Sequence, residues 1–423
     1  MAEPRIVPRA DHPISRRDID PDALKVLYRL RQADHVAYLV GGSVRDLLLG
    51  RHPKDFDIGT SAHPYQVKKL FRNCWIIGRR FRLAHVKFGT KVIEVATFRR
   101  QLAPGEEVVQ DGVPAPDPTT PEGAHLIHHD NTFGTPEEDA FRRDFTINAL
   151  AYDIATFSII DYVGGLDDLH AGVVRSIGDP AVRILEDPVR MMRAVALASR
   201  LGFAIDPPVL EAIHLHRREI ARSSPPRLME EYYKILRAGA SERAFRWLAE
   251  LGLLEPISEE LHRGANDSLW RSLARLDNYR KQFESTPETL SNPVLLGTLL
   301  VPLEIHLQHR RTEEKTGAPR LGALPLARRD LERLRQLLGI QRRLRDLGAS
   351  LRAQRALTHR HIFRDALAWL EVHGEAPKLV EHWKSLAANA GPPEQMDGVE
   401  EPPAFKRRRR RRRRRRLGPN PEQ

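Results

Sequence analysis

The length of 423 residues predicts two to four domains, because a single hydrophobic core rarely extends over so many residues. The one cysteine, Cys74, excludes an internal disulfide and fits a reducing compartment. No apolar run approaches the roughly 20 residues that span a bilayer, so we expect a cytoplasmic protein with no membrane span.

The net charge of +12 is concentrated near the C-terminal end of the sequence. Lys406, ten consecutive arginines and Glu422 give residues 406–423 a charge of +10, which leaves +2 for the other 405 residues. A run of like charges this dense cannot pack, so we expect it to be disordered and to bind polyanions through phosphate contacts. The predicted RNA contacts include Arg407, Arg408, Arg409 and Arg410. A tail that only solubilises the protein is the alternative.

The elements predicted in chain order begin with a short helix over 21–33, where Leu24, Leu27 and Leu30 follow a helical period. Strand-like runs follow at 37–40, 55–59, 74–77, 84–88 and 91–98, with one helix over 64–71. These elements predict a small mixed sheet with helical cover. Residues 101–136 contain six prolines and are expected to form a long loop. From Asp179 onward the pattern is helical.

The change from strands to helices predicts an α+β protein with the sheet in its N-terminal half. The expected divisions are an N-terminal extension and helix (1–34), a head with the mixed sheet (35–178), a helical neck (179–252), a helical body that binds RNA (253–390), and a linker with a disordered tail (391–423).

The most informative segment is LVGGSVRDLLLGRHPKDFD at residues 39–57. Gly41 and Gly42 follow a buried strand and permit a tight turn, and Ser43 is expected to cap the next helix. Such a turn presents backbone N–H groups to a phosphate. Arg45 lies on the first helical turn, from which it could reach triphosphate oxygens.

Asp55 and Asp57 follow in what we predict to be a short strand. Side chains at positions i and i+2 of a strand share one face, so both carboxylates could hold one metal centre. Neither the glycine turn nor the D-x-D pair is specific alone, and their joint spacing is what points to nucleotidyl transfer. The segment contains no P-loop and no dinucleotide-binding fingerprint.

Further acidic and basic candidates come from two later segments. Glu94 is the one acid in the strand KVIEVATFRR, where it would complete a metal site or remain a plain edge-strand glutamate. In FRRDFTINA, Arg143 precedes Asp144 at a predicted helix start, and Asn148 lies one turn later on the same face. The pair Arg142 and Arg143 beside a helix start suits a triphosphate, although Asp144 could serve only as an N-cap.

The segment EDPVRMMRAVALASRLGF is the candidate base reader. Asp187 is expected to cap a helix that has Pro188 in its first turn, with Arg190 and Arg193 on one exposed stripe. A carboxylate accepts and a guanidinium donates, so Asp187 and Arg190 could mimic a Watson–Crick partner. An acceptor followed by a donor matches the hydrogen-bonding edge of adenine and of cytosine, and it does not match the edge of uracil or of guanine.

Together these segments resemble the class II nucleotidyltransferases that extend RNA 3′ ends, namely bacterial poly(A) polymerases and CCA-adding enzymes. The resemblance covers roughly residues 35–250. It implies a nucleotidyltransferase palm head followed by all-helical neck and body domains, with two Mg²⁺ ions at Asp55 and Asp57. It also implies triphosphate contacts at Gly41, Gly42, Ser43, Arg45, Arg143 and Asn148, nucleotide contacts at Asp187, Arg190 and Arg193, and further catalytic acids at Asp144 and Glu94.

The segment at 78–100 and the arginine-rich tail are similar to the poly(A) polymerase branch. This implies template-independent addition of AMP from ATP to RNA 3′ ends, with release of pyrophosphate, in RNA processing and decay. RNA 3′ ends and ATP are the expected ligands, and the RNA-decay machinery is a candidate partner that the sequence does not specify. A CCA-adding enzyme and a non-catalytic RNA-binding protein remain as alternatives. One position departs from the family pattern, because Ala196 stands where an arginine is common.

Overall fold

The computed structural model describes residues 3–78, 82–100, 133–305 and 320–389. The predicted loop over 101–136 lies mostly outside those ranges. The predicted linker and tail over 391–423, with Arg407, Arg408, Arg409 and Arg410, lie wholly outside them.

The head is built on an eight-stranded mixed sheet. Its strands are β1 (Arg5–Val7), β2 (Ala37–Val40), β3 (Asp57–Thr60), β4 (Cys74–Ile77), β5 (Leu83–Phe88), β6 (Lys91–Thr97), β7 (Ala151–Asp153) and β8 (Ser158–Asp161). Their spatial order is β1-β8-β7-β2-β3-β6-β5-β4. Strands β3 and β6 are parallel, and all other neighbours in this sheet are antiparallel.

Five helices belong to the head: α1 (Pro21–Gln32), α2 (Gly42–Leu48), α3 (Pro64–Leu70), α4 (Pro136–Phe141) and α5 (Gly165–Ala171). Helix α1 buries Val26, Leu27 and Leu30, and α1 and α3 pack on one face of the sheet. Along the outer strands, buried residues that point toward the helices alternate with more exposed residues on the opposite face, as expected for a sheet with helices on one side. The predicted α+β fold is confirmed.

Two predicted boundaries in the head are wrong. The strand after α2 begins at Asp57, so Asp55 lies before it in the connecting segment rather than two places along the same strand. The other error is at Asp144, which does not start a helix. Helix α4 ends at Phe141, and Asp144 lies in the bend that follows it. Only a single 3-10 turn, Thr146–Asn148, comes after Asp144, and its N-cap is Phe145.

The remainder is helical, as predicted. The helices are α6 (Pro180–Glu186), α7 (Val189–Leu201), α8 (Pro207–His216), α9 (Pro225–Arg237), α10 (Ser241–Glu250), α11 (Glu259–Arg263), α12 (Asp267–Arg280), α13 (Asn292–Leu300), α14 (Arg328–Gly339), α15 (Gln341–Arg345), α16 (Leu351–Thr358), α17 (Phe363–His373) and α18 (Pro377–Ala388). Two short pairs, β9 (Val173–Val174) with β10 (Ala204–Ile205) and β11 (Arg320–Leu321) with β12 (Leu324–Pro325), lie among them.

Helix α7 connects the head to the helical half. Its buried residues include Met191, Met192 and Val195, and it packs against α9 and α10. Arg193 and Arg200 of α7 pair with Asp144 and Asp46 of the head. Among the described helices, none combines the length and apolar character needed to cross a bilayer.

Candidate active site

A cavity of about 1400 Å³ lies between the head and the helices that follow it. Lysines and arginines outnumber acidic residues in its lining by twelve to eight, and an excess of positive charge in a cleft favours a polyanionic ligand. The predicted site residues in the lining are Gly41, Gly42, Arg45, Asp55, Asp57, Arg143, Asp144, Asn148, Asp187, Arg190 and Arg193. Ser43 and Glu94 are not part of it.

The glycine turn joins β2 to α2. Gly41 has a φ of +76°, which an L side chain rarely adopts. A Cβ atom at Gly41 would also lie 2.9 Å from Nη1 of Arg143, so a side chain there would displace the end of that arginine. Ser43 does not cap α2, contrary to the prediction, because it lies inside the helix and its hydroxyl donates to the Val40 carbonyl at 3.2 Å.

Arg45 is buried beneath the turn. Its Nε and Nη2 donate to Oδ1 of Asp46 at 2.9 and 2.8 Å, and its Nη1 donates to the side-chain oxygen of Asn148. Arg200 of α7 donates to the same Asp46 oxygen at 3.1 Å. Burial lowers the pKa of Arg45, and the charge of Asp46 opposes that shift. This network fixes α2 against the helical half.

Arg142 and Arg143 lie just beyond α4. Arg143 donates from Nη2 to Asp139 at 3.0 Å and from Nη1 to the Asn148 carbonyl at 3.2 Å, which holds it across Gly41. Burial lowers the pKa of Arg142 to about 9, and four nearby guanidinium groups, including that of Arg143, add to the shift. A polyanion would relieve this crowding of positive charge. The motif FRRD predicts a triphosphate contact by the pair Arg142 and Arg143, and Arg143 is the site residue predicted from it.

Asp55 and Asp57 carry exposed carboxylates at the head side of the cavity. Within the described residues, neither makes a hydrogen bond or ion pair. Partial desolvation raises the pKa of Asp57 to about 6, with a further contribution from Glu94, while Arg143 opposes the rise and Asp55 adds to it. Electrostatic repulsion among close carboxylates is relieved by a cation.

These carboxylates fit Mg²⁺, which usually takes one or two protein carboxylates and completes its coordination with water and substrate phosphate. Among the described residues, no group of three or more His, Cys, Asp or Glu side chains has metal-site geometry. Glu94 shares the sheet face of Asp57, because Ile58 and Val95 are partners in the parallel ladder. Its Oε1 lies 3.5 Å from Nε2 of His85.

Asp144 occupies a different environment from the exposed pair. Its buried carboxylate accepts from the Phe145 N–H at 2.9 Å and from Nδ2 of Asn148 at 3.1 Å, and its Oδ2 lies 2.7 Å from Nη2 of Arg193. Burial alone would raise the pKa of Asp144, but the Arg193 charge and these hydrogen bonds bring it below the usual value. The contacts favour a positioning role for Asp144.

Asp187 and Arg190 both line the cavity, and the Arg190 backbone N–H donates to the Asp187 carbonyl at 3.0 Å, but their side chains have different partners. Asp187 ends α6 rather than capping α7; its Oδ2 accepts from Arg227 at 2.8 Å. Its Oδ1 is buried and has no hydrogen-bond partner in the described part of the chain. Arg190 is not on an exposed stripe, since its Nη1 donates to the Arg183 carbonyl at 2.7 Å and to Glu186 at 3.1 Å. Arg193 does face the cavity, with 44% of its side chain exposed.

The fold and this cavity place the chain in the class of nucleotidyltransferases. The Bacillus stearothermophilus CCA-adding enzyme, solved in complex with CTP, superposes with a TM-score of 0.55 at 25% identity, over 88% of this chain and 83% of that structure.

Family comparison narrows the class. Residues 37–175 match the poly A polymerase head domain, residues 202–264 match the probable RNA and SrmB-binding site of polymerase A, and residues 317–416 match the polymerase A arginine-rich C-terminus. Poly(A) polymerase I of Salmonella typhi is 40% identical over 94% of this chain and 88% of its own length. The Escherichia coli O6:H1 protein of the same name is 38% identical, over 95% and 90%. The chain belongs to the bacterial poly(A) polymerase family, as the sequence motifs predicted.

Proposed function

We propose that the chain is a template-independent poly(A) polymerase, which transfers AMP from ATP to RNA 3′ ends and releases pyrophosphate. The observation that carries the proposal is the pairing of exposed carboxylates at Asp55 and Asp57 with the crowded arginines of one cation-rich cavity. Its action in RNA processing and decay, a decay complex as partner and a cytoplasmic location are part of the same proposal.

The arginines are proposed to bind the triphosphate. Arg143 is held by Asp139 across Gly41, and Arg142, its neighbour in the chain, also lines the cavity. Bidentate guanidinium contacts suit phosphate oxygens and neutralise the charge that develops on a leaving pyrophosphate. Arg45 supports this arrangement from below, because its donors are already occupied by Asp46 and Asn148.

Asp55 and Asp57 would hold Mg²⁺, which when bound neutralises phosphate charge and favours the ionised form of the RNA 3′ hydroxyl. Glu94 faces the same side of the sheet and adds negative charge there. Asp144 holds Arg193 by an ion pair in the position from which Arg193 is proposed to contact the nucleotide. Catalysis in this proposal is positioning and charge neutralisation, and no side chain forms a covalent intermediate.

The base is proposed to meet Asp187 and Arg190. The unpartnered Oδ1 of Asp187 is an acceptor for an exocyclic amino group, and Arg190 supplies donors nearby on the same wall. Adenine and cytosine carry the amino group that this acceptor requires, whereas uracil does not.

A CCA-adding activity is the second candidate. The CCA-adding enzyme of Lactobacillus johnsonii is 38% identical over 56% of this chain and 54% of its own length, and the proposed base contacts admit both ATP and CTP. The third candidate, an RNA-binding protein without catalysis, predicts salt-sensitive RNA binding with no use of ATP.

One experiment separates the three. The purified protein is incubated with Mg²⁺ and either a generic single-stranded RNA or a tRNA that lacks its 3′ end, with each nucleoside triphosphate alone and then all together. Long tails from ATP alone on the generic RNA support the polymerase. Extension that stops after three nucleotides on the tRNA supports the CCA-adding enzyme, and binding without extension of either RNA supports the third candidate.

A further inference from the structure

Strands β4, β5 and β6 leave one face of the head sheet open. On the covered face, Cys74, Val86 and Val95 are buried beneath helical cover. On the other face, Trp75 and Ile77 are 53% and 50% exposed, and no described element covers them. Trp75 and Ile77 lie two residues apart on this face of the edge strand and form an apolar patch, and patches of this kind mark sites of contact with a ligand.

The register places this tryptophan in line with the candidate active site. Trp75 is paired with His85, and His85 is paired with Glu94. The parallel register of β3 and β6, in which Ile58 faces Val95, puts Asp57 next to Glu94 on the same face. The row Asp57, Glu94, His85, Trp75 therefore crosses four strands, and three strand spacings separate its ends by roughly 14 Å.

The row leads away from the arginines proposed to bind the triphosphate. Helix α2 and the glycine turn follow β2, which neighbours β3 on the side opposite to β6. In phosphoryl transfer the attacking and leaving oxygens lie roughly in line. If the pyrophosphate leaves toward the glycine turn, the attacking 3′ hydroxyl arrives from the side of β6, β5 and β4.

We propose that this open face, defined by Trp75, Ile77, His85 and Lys87, binds the RNA just upstream of its reacting 3′ end, with Trp75 stacking on a base. The inference rests on the proposed polymerase function. Lys87 is exposed, lies two residues from His85 on the same face and has no acidic partner among the described residues, so it is available for a phosphate. Aromatic stacking tolerates any base, which suits an enzyme that must hold its own growing product.

The distance between Asp57 and Trp75 determines how long a primer must be to contact Trp75. A stacked strand rises about 3.4 Å per nucleotide, so roughly 14 Å corresponds to about four stacked nucleotides, or fewer in an extended strand. A dinucleotide primer cannot reach Trp75, whereas an oligonucleotide of eight residues can.

The test compares full-length wild-type protein with Trp75→Ala and Trp75→Phe, using single-stranded primers of two, four, eight and sixteen nucleotides. We expect Trp75→Ala to raise the KM for the eight- and sixteen-nucleotide primers by about tenfold, the loss of one base stack. The KM for the dinucleotide, the KM for ATP and kcat at saturating RNA stay unchanged, and Trp75→Phe retains most of the affinity. Tyr65→Ala is the matched control, because Tyr65 is 60% exposed on the helix-covered side of the head.

A second readout is independent of catalysis. RNA with 4-thiouridine three nucleotides from its 3′ end is cross-linked without nucleoside triphosphate, and the modified peptide is identified by mass spectrometry. Cross-links within 74–88 support the platform, and cross-links confined to other segments overturn it. If wild-type protein extends no RNA, the proposed function fails while this cross-link still decides the RNA contact.

Two further outcomes would also overturn the inference. One is an equal KM for wild type and Trp75→Ala at every primer length, in an otherwise active enzyme. The other is a change in oligomeric mass on Trp75→Ala, measured by light scattering, with no change in primer KM. The second result would assign the open face to contact between copies of the chain.

Discussion

Arg193 and Asp144 join the two halves of the candidate active site. Nη2 of Arg193, on α7, lies 2.7 Å from Oδ2 of Asp144, in the turn after α4. The carboxylate is buried and the guanidinium is partly exposed to the cavity, so this ion pair joins the turn after α4 to the helix that carries the nucleotide contacts, in addition to the pair of Arg200 with Asp46.

The first prediction concerns this pair. Asp144→Asn keeps the shape of the side chain but removes its charge, and we expect the free energy of unfolding at pH 7 to fall by about 1–3 kcal/mol. Because the pKa of Asp144 is lowered, its contribution is present above its unfolded value of about 3.9 and is lost as the pH falls through the folded value. Chemical denaturation of both proteins at pH 7 and pH 3 measures the difference.

The same variant separates positioning from metal binding. We expect kcat to fall while the Mg²⁺ concentration for half-maximal activity stays unchanged, because Asp144 is engaged by Arg193. A double-mutant cycle with Arg193→Gln should give a coupling energy above about 0.5 kcal/mol. A large shift in the Mg²⁺ requirement of Asp144→Asn would instead make Asp144 a metal ligand.

The second prediction follows from the raised pKa of Asp57. A carboxyl group with a folded pKa of about 6 favours folding at low pH and loses that contribution as the pH rises through 6. In EDTA we therefore expect Asp57→Asn to have a higher Tm than wild type at pH 8 and an equal Tm near pH 4. Added Mg²⁺ should raise the Tm of wild type more than that of the variant.

The control for Asp57 is Glu255→Gln, which neutralises an exposed carboxylate outside the cavity lining. Its Tm should follow wild type at both pH values, with and without Mg²⁺. If the two variants have the same Tm under all these conditions, the Asp57 carboxylate neither destabilises the folded protein at pH 8 nor binds Mg²⁺.

The third prediction is chemical. Asp55→Ala should abolish incorporation of AMP while the affinity for RNA, measured by filter binding, stays within about twofold of wild type, because Asp55 contributes charge for a cation and not for RNA. Turnover at the wild-type rate would remove Asp55 from the proposed mechanism.

The fourth prediction tests the base contact. Asp187→Asn offers an amide that can turn to donate or to accept, so we expect the ratio of kcat/KM for ATP over UTP to fall by roughly 10- to 100-fold. Arg227→Gln is the control, since it removes the ion pair at Oδ2 and leaves the carboxylate and its unpartnered Oδ1 in place. An unchanged ratio in Asp187→Asn would place base selection elsewhere.

Local chemistry made much of the head predictable. The apolar run at β2 and the glycines after it indicate a strand and a tight turn in only six residues, and β2 and β4 have the predicted bounds. The three-residue strands β1 and β7 are too short to show a period of two. Strand β1 also pairs with β8 at Asp161, more than 150 residues away, a contact that local spacing cannot indicate.

The partners of the charged side chains were the least predictable part. Asp144 and Arg193 lie far apart in sequence, and many arginines could have filled the same role. The choice is made by the packing of α7 above the turn after α4, which depends on the whole neck. The same applies to Asp187, whose partner Arg227 comes from α9 and not from its own helix.

The last prediction concerns Ala196, where the family pattern often has an arginine. Ala196 lines the cavity on α7 between Arg193 and Arg200, so a guanidinium placed there would face the same space. We expect Ala196→Arg to lower the KM for ATP by about threefold, the effect of one added partly exposed charge contact, and to make binding more sensitive to salt. Ala196→Gln adds a long side chain without the charge and should not lower the KM. If both variants raise the KM equally, the small side chain at 196 is required for space, and the missing arginine is a steric adaptation of this chain's cavity.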